Sequence, residues 1–256
     1  MNRRYTLISR WAFVIALLFM MSSHVRVKPK KILVFSKTAG FRHTAAIDAG
    51  KKVIPELGAT HKFDVDLSED ASVFTPDNLK QYAAVVFLCT TGNALDDHQQ
   101  VAFQQFIRSG GGFVGLHSAT DTEYDWPWYG ELVGAYFKNH PRGQQEAAFT
   151  VVDANTIATR HLPAVWKRTD ELYNFKWIAP GLHVLITVDE NSYTGGGNGD
   201  YHPMCWYHNF DGGRAFYTAL GHDMKSYDDP LYRQHILGGI EYAMGKTLTA
   251  NVKYNN

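Results

Sequence analysis

The chain has 256 residues, 45% of them hydrophobic and 20% charged, as in a globular protein that buries enough surface to fold without a metal or a disulfide framework. Lys plus Arg equals Asp plus Glu at 25 each, and no basic stripe appears, which argues against nucleic acid as a partner. Twelve histidines and a 14% aromatic fraction stand out; aromatics interspersed with His and Asp suit a small carbohydrate or other polar ligand as well as they suit an aromatic-rich core.

The N-terminus carries Arg3, Arg4 and Arg10 without an acid, then an apolar run from Trp11 to Met21, then Ser22 and Ser23. A basic segment, a short apolar segment and small residues form the pattern of a secretory signal, and the apolar run is short for a membrane span. Residues 1–27 are therefore expected to be a signal peptide or N-terminal anchor, with membrane contact only through this segment and a single domain over 28–250. The expected location is periplasmic or extracellular. The two cysteines, Cys89 and Cys205, each lie in an apolar run and read as buried free thiols.

Lys31–Ser36 is a continuous branched apolar run, a buried strand. A helix is predicted from about Thr44, its N-cap, to Leu57, with Gly58 after its end. Phe63–Leu67 alternates, as a strand nearer an edge does; Thr75-Pro76 opens a short helical turn; Ala83–Leu88 is a further buried strand. A helix follows from about Asp96 to Ser109, with Val101, Phe103, Phe106 and Ile107 on or beside its apolar face, and then a strand over Gly112–Leu116. This rhythm predicts a parallel sheet with helices on both faces. The second half reads as strands joined by loops, over Gln145–Val152, Val184–Val188, Met204–His208 and Arg214–Leu220, with a glycine-rich turn at Gly195–Gly199 and a last helix from about Pro230 to Met244.

In an open parallel sheet, ligands bind beyond the carboxyl ends of the strands. That rule gathers Arg42 and His43 after the first strand and Thr91 after the third. It adds His117, Asp121, Glu123 and Trp126 after the fourth, and His222 after Arg214–Leu220. His43 sits at a helix N-terminus, where main-chain N–H groups favour anions. His140, His202 and Trp206 join the candidates for substrate binding, the tryptophans because they can stack on sugar rings, although each could equally be core. Clustered histidines and acids are also metal-ligand types, so a divalent metal is a candidate cofactor, one assembled wholly from separate loops.

Four stretches carry a resemblance: KTAGFRHTA (37–45), GGGFVGLHSATDTEYDWPWYGELVGAYFKNHP (110–141), RTDELYNF (168–175) and HPMCWYHNFDGGRAFYTALGHD (202–223). Together they resemble the ThuA-like (trehalose utilisation) family of the class I glutamine amidotransferase-like superfamily. The resemblance implies an α/β, flavodoxin-like three-layer sandwich with a mostly parallel sheet and an antiparallel extension. It also implies that His117 stands where amidotransferases carry their nucleophilic Cys, in a G-x-C-x-G setting, and that His222 takes the place of their catalytic His. Glutaminase chemistry is then lost, because an imidazole has no route to the thioester intermediate. Ser118 lies one position late for the elbow.

Two functions follow. One is an exported enzyme acting on a glycoside or keto-sugar, as hydrolase, lyase or isomerase. His117, His222, Asp121 and Glu123 would work by acid/base or metal-assisted chemistry, and Arg42, His43, Thr91, Trp126, His140, His202 and Trp206 would bind substrate. The other is a non-catalytic sugar- or partner-binding module on the same scaffold. A homo-oligomer is compatible with either.

Overall fold

The computed structural model describes residues 29–248. The expected signal or anchor over residues 1–27 lies outside them, and among the described residues no helix is long and apolar enough to cross a membrane.

The strands are β1 (Lys30–Phe35), β2 (Phe63–Ser68), β3 (Ala84–Leu88), β4 (Gly112–Leu116), β5 (Ala135–Asn139) and β6 (Gln145–Val151), followed by β7 (Val165–Asp170), β8 (Asn174–Ile178), β9 (His183–Val188), β10 (His202–Phe210) and β11 (Gly213–Thr218). The helices are α1 (Thr44–His61), α2 (Pro76–Leu79), α3 (Asp97–Arg108), α4 (Pro127–Val133), α5 (Met224–Asp228) and α6 (Pro230–Ala243). Nine strands form one sheet in the order β2-β1-β3-β4-β11-β10-β9-β6-β7, and β5 pairs with β8 in a separate ribbon. From β2 to β11 every pairing is parallel; from β11 to β7 every pairing is antiparallel. The fold is thus the expected α/β sandwich, with an antiparallel extension four strands wide.

The strands of the parallel half form because they are continuous apolar runs that can be covered on both faces. Within β4, alternate residues meet different layers. Phe113 packs its ring against Phe103 of α3 and Tyr129 of α4. Gly112 faces the other way, where an added Cβ would collide with the Ala243 carbonyl of α6. Leu88 of β3 lies on this second face, beneath α1 and Gly50.

Several sequence expectations need correction. Thr44 is the first helical residue of α1, so His43 is the N-cap, and its side chain makes no cap bond. The helix runs through Gly58 to His61 and ends at Lys62, which takes the left-handed conformation at φ 64°. Gly58 is there for packing: a Cβ would strike the Phe63 carbonyl. Val101 points to solvent, since the apolar face of α3 is Ala102, Phe103, Phe106 and Ile107. Five elements escaped the sequence reading altogether: β5, β7, β8, α4 and α5. Cys89 and Cys205 are buried free thiols, as expected.

The strand directions explain where the site forms. β11 runs parallel to β4, and three antiparallel steps later β6 runs against it; β7 therefore runs with β4 again. Its carboxyl end emerges on the same edge of the sheet as those of β1, β3, β4 and β11. The antiparallel half also curls, in keeping with sheet twist, until Asp170 at the end of β7 touches the turn after β11.

Beneath this turn His235 of α6 is wholly buried, with Nδ1 2.8 Å from the Ala158 carbonyl and Nε2 3.2 Å from Thr218 Oγ1. Burial pushes it down to about 3. Its folded value lies below the unfolded one, so unfolding takes up a proton below about pH 6.5 and stability falls with pH. His235 is expected to remove about 1 kcal/mol per pH unit as pH drops from 6.5 towards 3, and His235→Gln to flatten that slope; urea unfolding between pH 7 and 4 measures both.

Candidate active site: a histidine–glutamate cluster at the carboxyl edge

β4 ends at Leu116, and the chain breaks into a tight turn over His117–Asp121. His117 itself takes φ 52°, a left-handed conformation that costs a residue with a Cβ about 1–2 kcal/mol. The turn aims its imidazole along the sheet edge. Strand register does the rest: Leu116 sits opposite Thr218 of β11, which brings the next residue pair together, and His117 Nδ1 lies 2.8 Å from the Ala219 carbonyl. That bond makes Nδ1 the protonated nitrogen and leaves the lone pair on Nε2 facing inward.

Three further donors surround that lone pair. His222, after β11, places Nδ1 3.2 Å from His117 Nε2. Glu171, directly after β7, places Oε2 3.4 Å from His117 Nε2, 3.0 Å from His222 Nδ1 and 3.7 Å from His43 Nε2. The four donor atoms lie within 4.8 Å of one another. His43 presents Nε2 because its other nitrogen, Nδ1, is taken up by Ser118 Oγ at 3.3 Å. Ser118 is completely buried behind it, which fits a group that orients His43 rather than a nucleophile.

Charge in this cluster is arranged around Glu171. Burial alone would raise its carboxyl, but the surrounding imidazoles of His117, His222 and His43 outweigh that and hold it well below the usual carboxylate range. Burial pushes His43 down to about 4 despite the pull of Glu171, so its imidazole is neutral at physiological pH. Burial would also lower His222, yet the hydrogen bond and charge of Glu171 prevail and raise it.

Beside the cluster opens a cavity of about 260 Å³ lined by Phe41, His43, Asp121, Phe137, His140, Glu171 and Tyr173. Tyr173 lies with its ring 4.5 Å from that of His117 and 4.3 Å from that of Phe137. His140 reaches in from the end of β5, with Nδ1 2.7 Å from the Pro141 carbonyl and 3.3 Å from Glu171 Oε1. Asp121 accepts a 2.6 Å hydrogen bond from the Tyr124 hydroxyl on Oδ1, and burial raises its carboxyl against that bond.

Of the residues singled out in the sequence, His43, His117, Asp121, His140 and His222 thus converge. The others do not. Glu123 is buried, with Oε1 accepting the main-chain N–H groups of Ala94 and Leu95 at 2.7 and 2.8 Å and Oε2 accepting Gln100 Nε2 at 2.8 Å. It staples the loop before α3, and a carboxylate so occupied has no free edge for catalysis. Arg42 turns to the surface and forks onto Glu69 at 2.9 and 3.0 Å. Thr91 acts one step removed: its hydroxyl donates to the Phe41 carbonyl and accepts from the Gly40 N–H, fixing the loop that carries Phe41 and His43. Trp126 stacks on Trp128 and Tyr129, and Trp206 is fully buried, its indole N–H on the Val133 carbonyl. His202 is buried too, 2.8 Å from the Tyr173 carbonyl, and supports the cavity wall from behind. The residue that sequence reasoning missed is Glu171. Its only signal was its place in RTDELYNF, a stretch whose strand was not recognised.

The architecture defines the class: an α/β sandwich of the class I glutamine amidotransferase-like fold, with an imidazole at the strand-end turn. The trehalose utilisation (ThuA) family profile matches residues 31–243, and the chain belongs to that family. Similar solved structures include a putative ThuA-like protein from Bacteroides uniformis, 21% identical with a TM-score of 0.74, covering 87% of this chain and 94% of that one. Another from Parabacteroides merdae is 22% identical with a TM-score of 0.70, covering 88% and 93%. PurLQS from Thermotoga maritima shares the fold at 9% identity and a TM-score of 0.53, covering 84% and 99%. No curated protein matches the chain.

Two stability comparisons test this description. At position 117, Gly is expected to be more stable than Ala by about 1 kcal/mol, because only Gly adopts φ 52° freely; the unfolding free energies of His117→Gly and His117→Ala decide it. Glu123→Ala strands two buried N–H groups and is expected to cost about 2–4 kcal/mol, whereas Asp121→Asn, which keeps an acceptor for Tyr124, costs less than about 1 kcal/mol by the same measurement.

Proposed function

We propose that this ThuA-family chain is an exported enzyme acting on a glycoside or keto-sugar, with His43, His117, Glu171 and His222 holding a divalent metal ion. The observation that carries the reading is the spacing of the four donors. Metal–ligand bonds of about 2.0–2.1 Å put neighbouring ligands about 3.0 Å apart at right angles and about 3.4 Å apart at the tetrahedral angle. The separations of 3.0, 3.2 and 3.4 Å among Glu171, His117 and His222 are edges of such a polyhedron, and His43, at 3.7 Å from Glu171, is the outermost donor.

The donor chemistry agrees. Three imidazoles and one carboxylate suit zinc and its neighbours. His117 is oriented by the Ala219 carbonyl and His43 by Ser118, the kind of outer hydrogen bond that metal-binding histidines carry. A divalent ion held by these four residues would supply Lewis-acid polarisation of a substrate oxygen.

The residues around the cavity support a carbohydrate substrate. Phe41, 69% exposed at the cavity mouth, together with Phe137 and Tyr173, offers apolar ring faces of the kind that pack on the C–H face of a sugar. The cavity admits about one sugar ring. Asp121 lies on its wall with Oδ1 held by Tyr124, and is the group positioned to accept or return a proton. A ketone acidifies the neighbouring C–H, so Asp121 acting as a carboxylate base would suit elimination or isomerisation without a nucleophile, were the carbonyl polarised by a bound ion. The family's trehalose-utilisation description supports a carbohydrate substrate. Export rests on the basic and apolar N-terminal segment.

Purified protein is expected to retain close to one equivalent of divalent metal per chain by elemental analysis. His117→Ala and Glu171→Gln should lose it and lose at least about 100-fold in turnover of trehalose, lactose or their 3-keto derivatives. If wild type turns over none of these sugars yet binds them, the non-catalytic sugar-binding reading replaces this one; undiminished turnover in both variants removes the cluster from the chemistry.

A further inference from the structure

The donors are themselves held by a carboxylate that does not enter the cluster. Asp170 ends β7 and is buried to 1% exposure. Its Oδ1 accepts the main-chain N–H of Glu171 at 2.9 Å and that of His222 at 3.1 Å. Its Oδ2 accepts the N–H of Gly221 at 3.0 Å and Arg168 Nη2 at 2.9 Å. One carboxylate therefore fixes the backbone of two of the four donors, one arriving from the edge strand β7 and the other from the central strand β11. Gly221 makes the close approach feasible: it has φ 107°, and a Cβ there would overlap the Tyr232 hydroxyl.

Arg168 holds Asp170 in turn. Its guanidinium lies 4.5 Å over the Trp166 ring and 5.0 Å over the Tyr232 ring, and Nη2 also bonds Ser226 Oγ at 2.7 Å. Its Nε and Nη1 are buried without hydrogen-bond partners. A buried ion pair with unmet donors is a poor way to gain stability, since apolar residues of similar volume often serve as well or better. Its position explains it: the pair stands directly behind Glu171 and His222.

Resting on the metal-centre reading above, we propose that Asp170, held by Arg168, is a positioning residue for the metal site. It locks the main chains of Glu171 and His222 in the one relative placement that brings their donor atoms to 3.0 Å.

The test is zinc affinity, measured on the metal-stripped full chain by competition with a chromogenic chelator, for wild type, Asp170→Asn and Arg168→Lys. Asp170→Asn keeps the volume but turns one acceptor oxygen into a donor facing N–H groups. It is expected to raise the zinc Kd about 10–100-fold, and Arg168→Lys to raise it several-fold. The melting temperature of each metal-free protein is recorded beside it. A lower metal-free melting temperature with an unchanged zinc Kd would mark a purely structural staple and overturn the proposal. Should Asp170→Asn not fold, Arg168→Lys decides, and a Kd within about twofold of wild type overturns it. If wild type itself binds no zinc, the metal reading falls and this inference falls with it, an outcome distinct from wild type binding tightly and both variants binding equally well.

Discussion

A carboxylate buried among imidazoles governs this molecule. Glu171 is only 6% exposed, and a lone buried carboxylate would cost several kcal/mol. The fold meets that cost by delivering His43, His117, His140 and His222 to its two oxygens from four separate chain segments. Each delivery has its own device: a helix N-cap for His43, a left-handed strand end for His117, a ribbon end for His140 and a glycine turn for His222. The antiparallel half of the sheet exists, in functional terms, to return β7 to the edge where the parallel strands end.

How much of this was legible in the sequence depended on what each residue does for the fold. β1, β3 and β4 are continuous apolar runs covered on both faces, and such runs announce themselves. β7 does not. Val165–Asp170 reads VWKRTD, and its inward positions are Trp166 and a buried Asp170, so the apolar alternation that marks a strand is absent. With β7 unseen, only its place in RTDELYNF set Glu171 apart from the other acids of the chain. Glu123 misled for the converse reason: an acid in a polar loop after a site strand looks catalytic, and only coordinates reveal that main-chain N–H groups already consume it. Trp126 and Trp206 looked like sugar platforms because the periodicity of their neighbours could not separate a wall from a core. The histidines fared better, because the rule of strand carboxyl ends depends on topology, and the topology of the first half was clear.

The comparison with amidotransferase-like proteins sharpens the meaning of His117. A left-handed residue at a strand end projects its side chain clear of the sheet whatever that side chain is, and the geometry is a property of the turn. Placing an imidazole there, with Nδ1 spoken for by Ala219, converts a position suited to attack on a carbonyl into one suited to donating a lone pair. On the reading proposed above, the same scaffold would exchange covalent chemistry for coordination or proton transfer. Structures with TM-scores of 0.74 and 0.70 at 21% and 22% identity show that the fold tolerates wide change in sequence.

The four clustered donors are each separated from the next by more than 50 residues along the chain. No two of them belong to one secondary-structure element, so local structure alone does not give a chelating pair with the spacing of the native cluster. A ligand that needs all four groups would bind the completed fold in preference to the unfolded chain, and mass action would convert that binding into stabilisation of the native state. Occupancy of the site would in this sense report on completion of the fold, because the long-range contacts that assemble the tertiary structure are the ones that bring the four groups together.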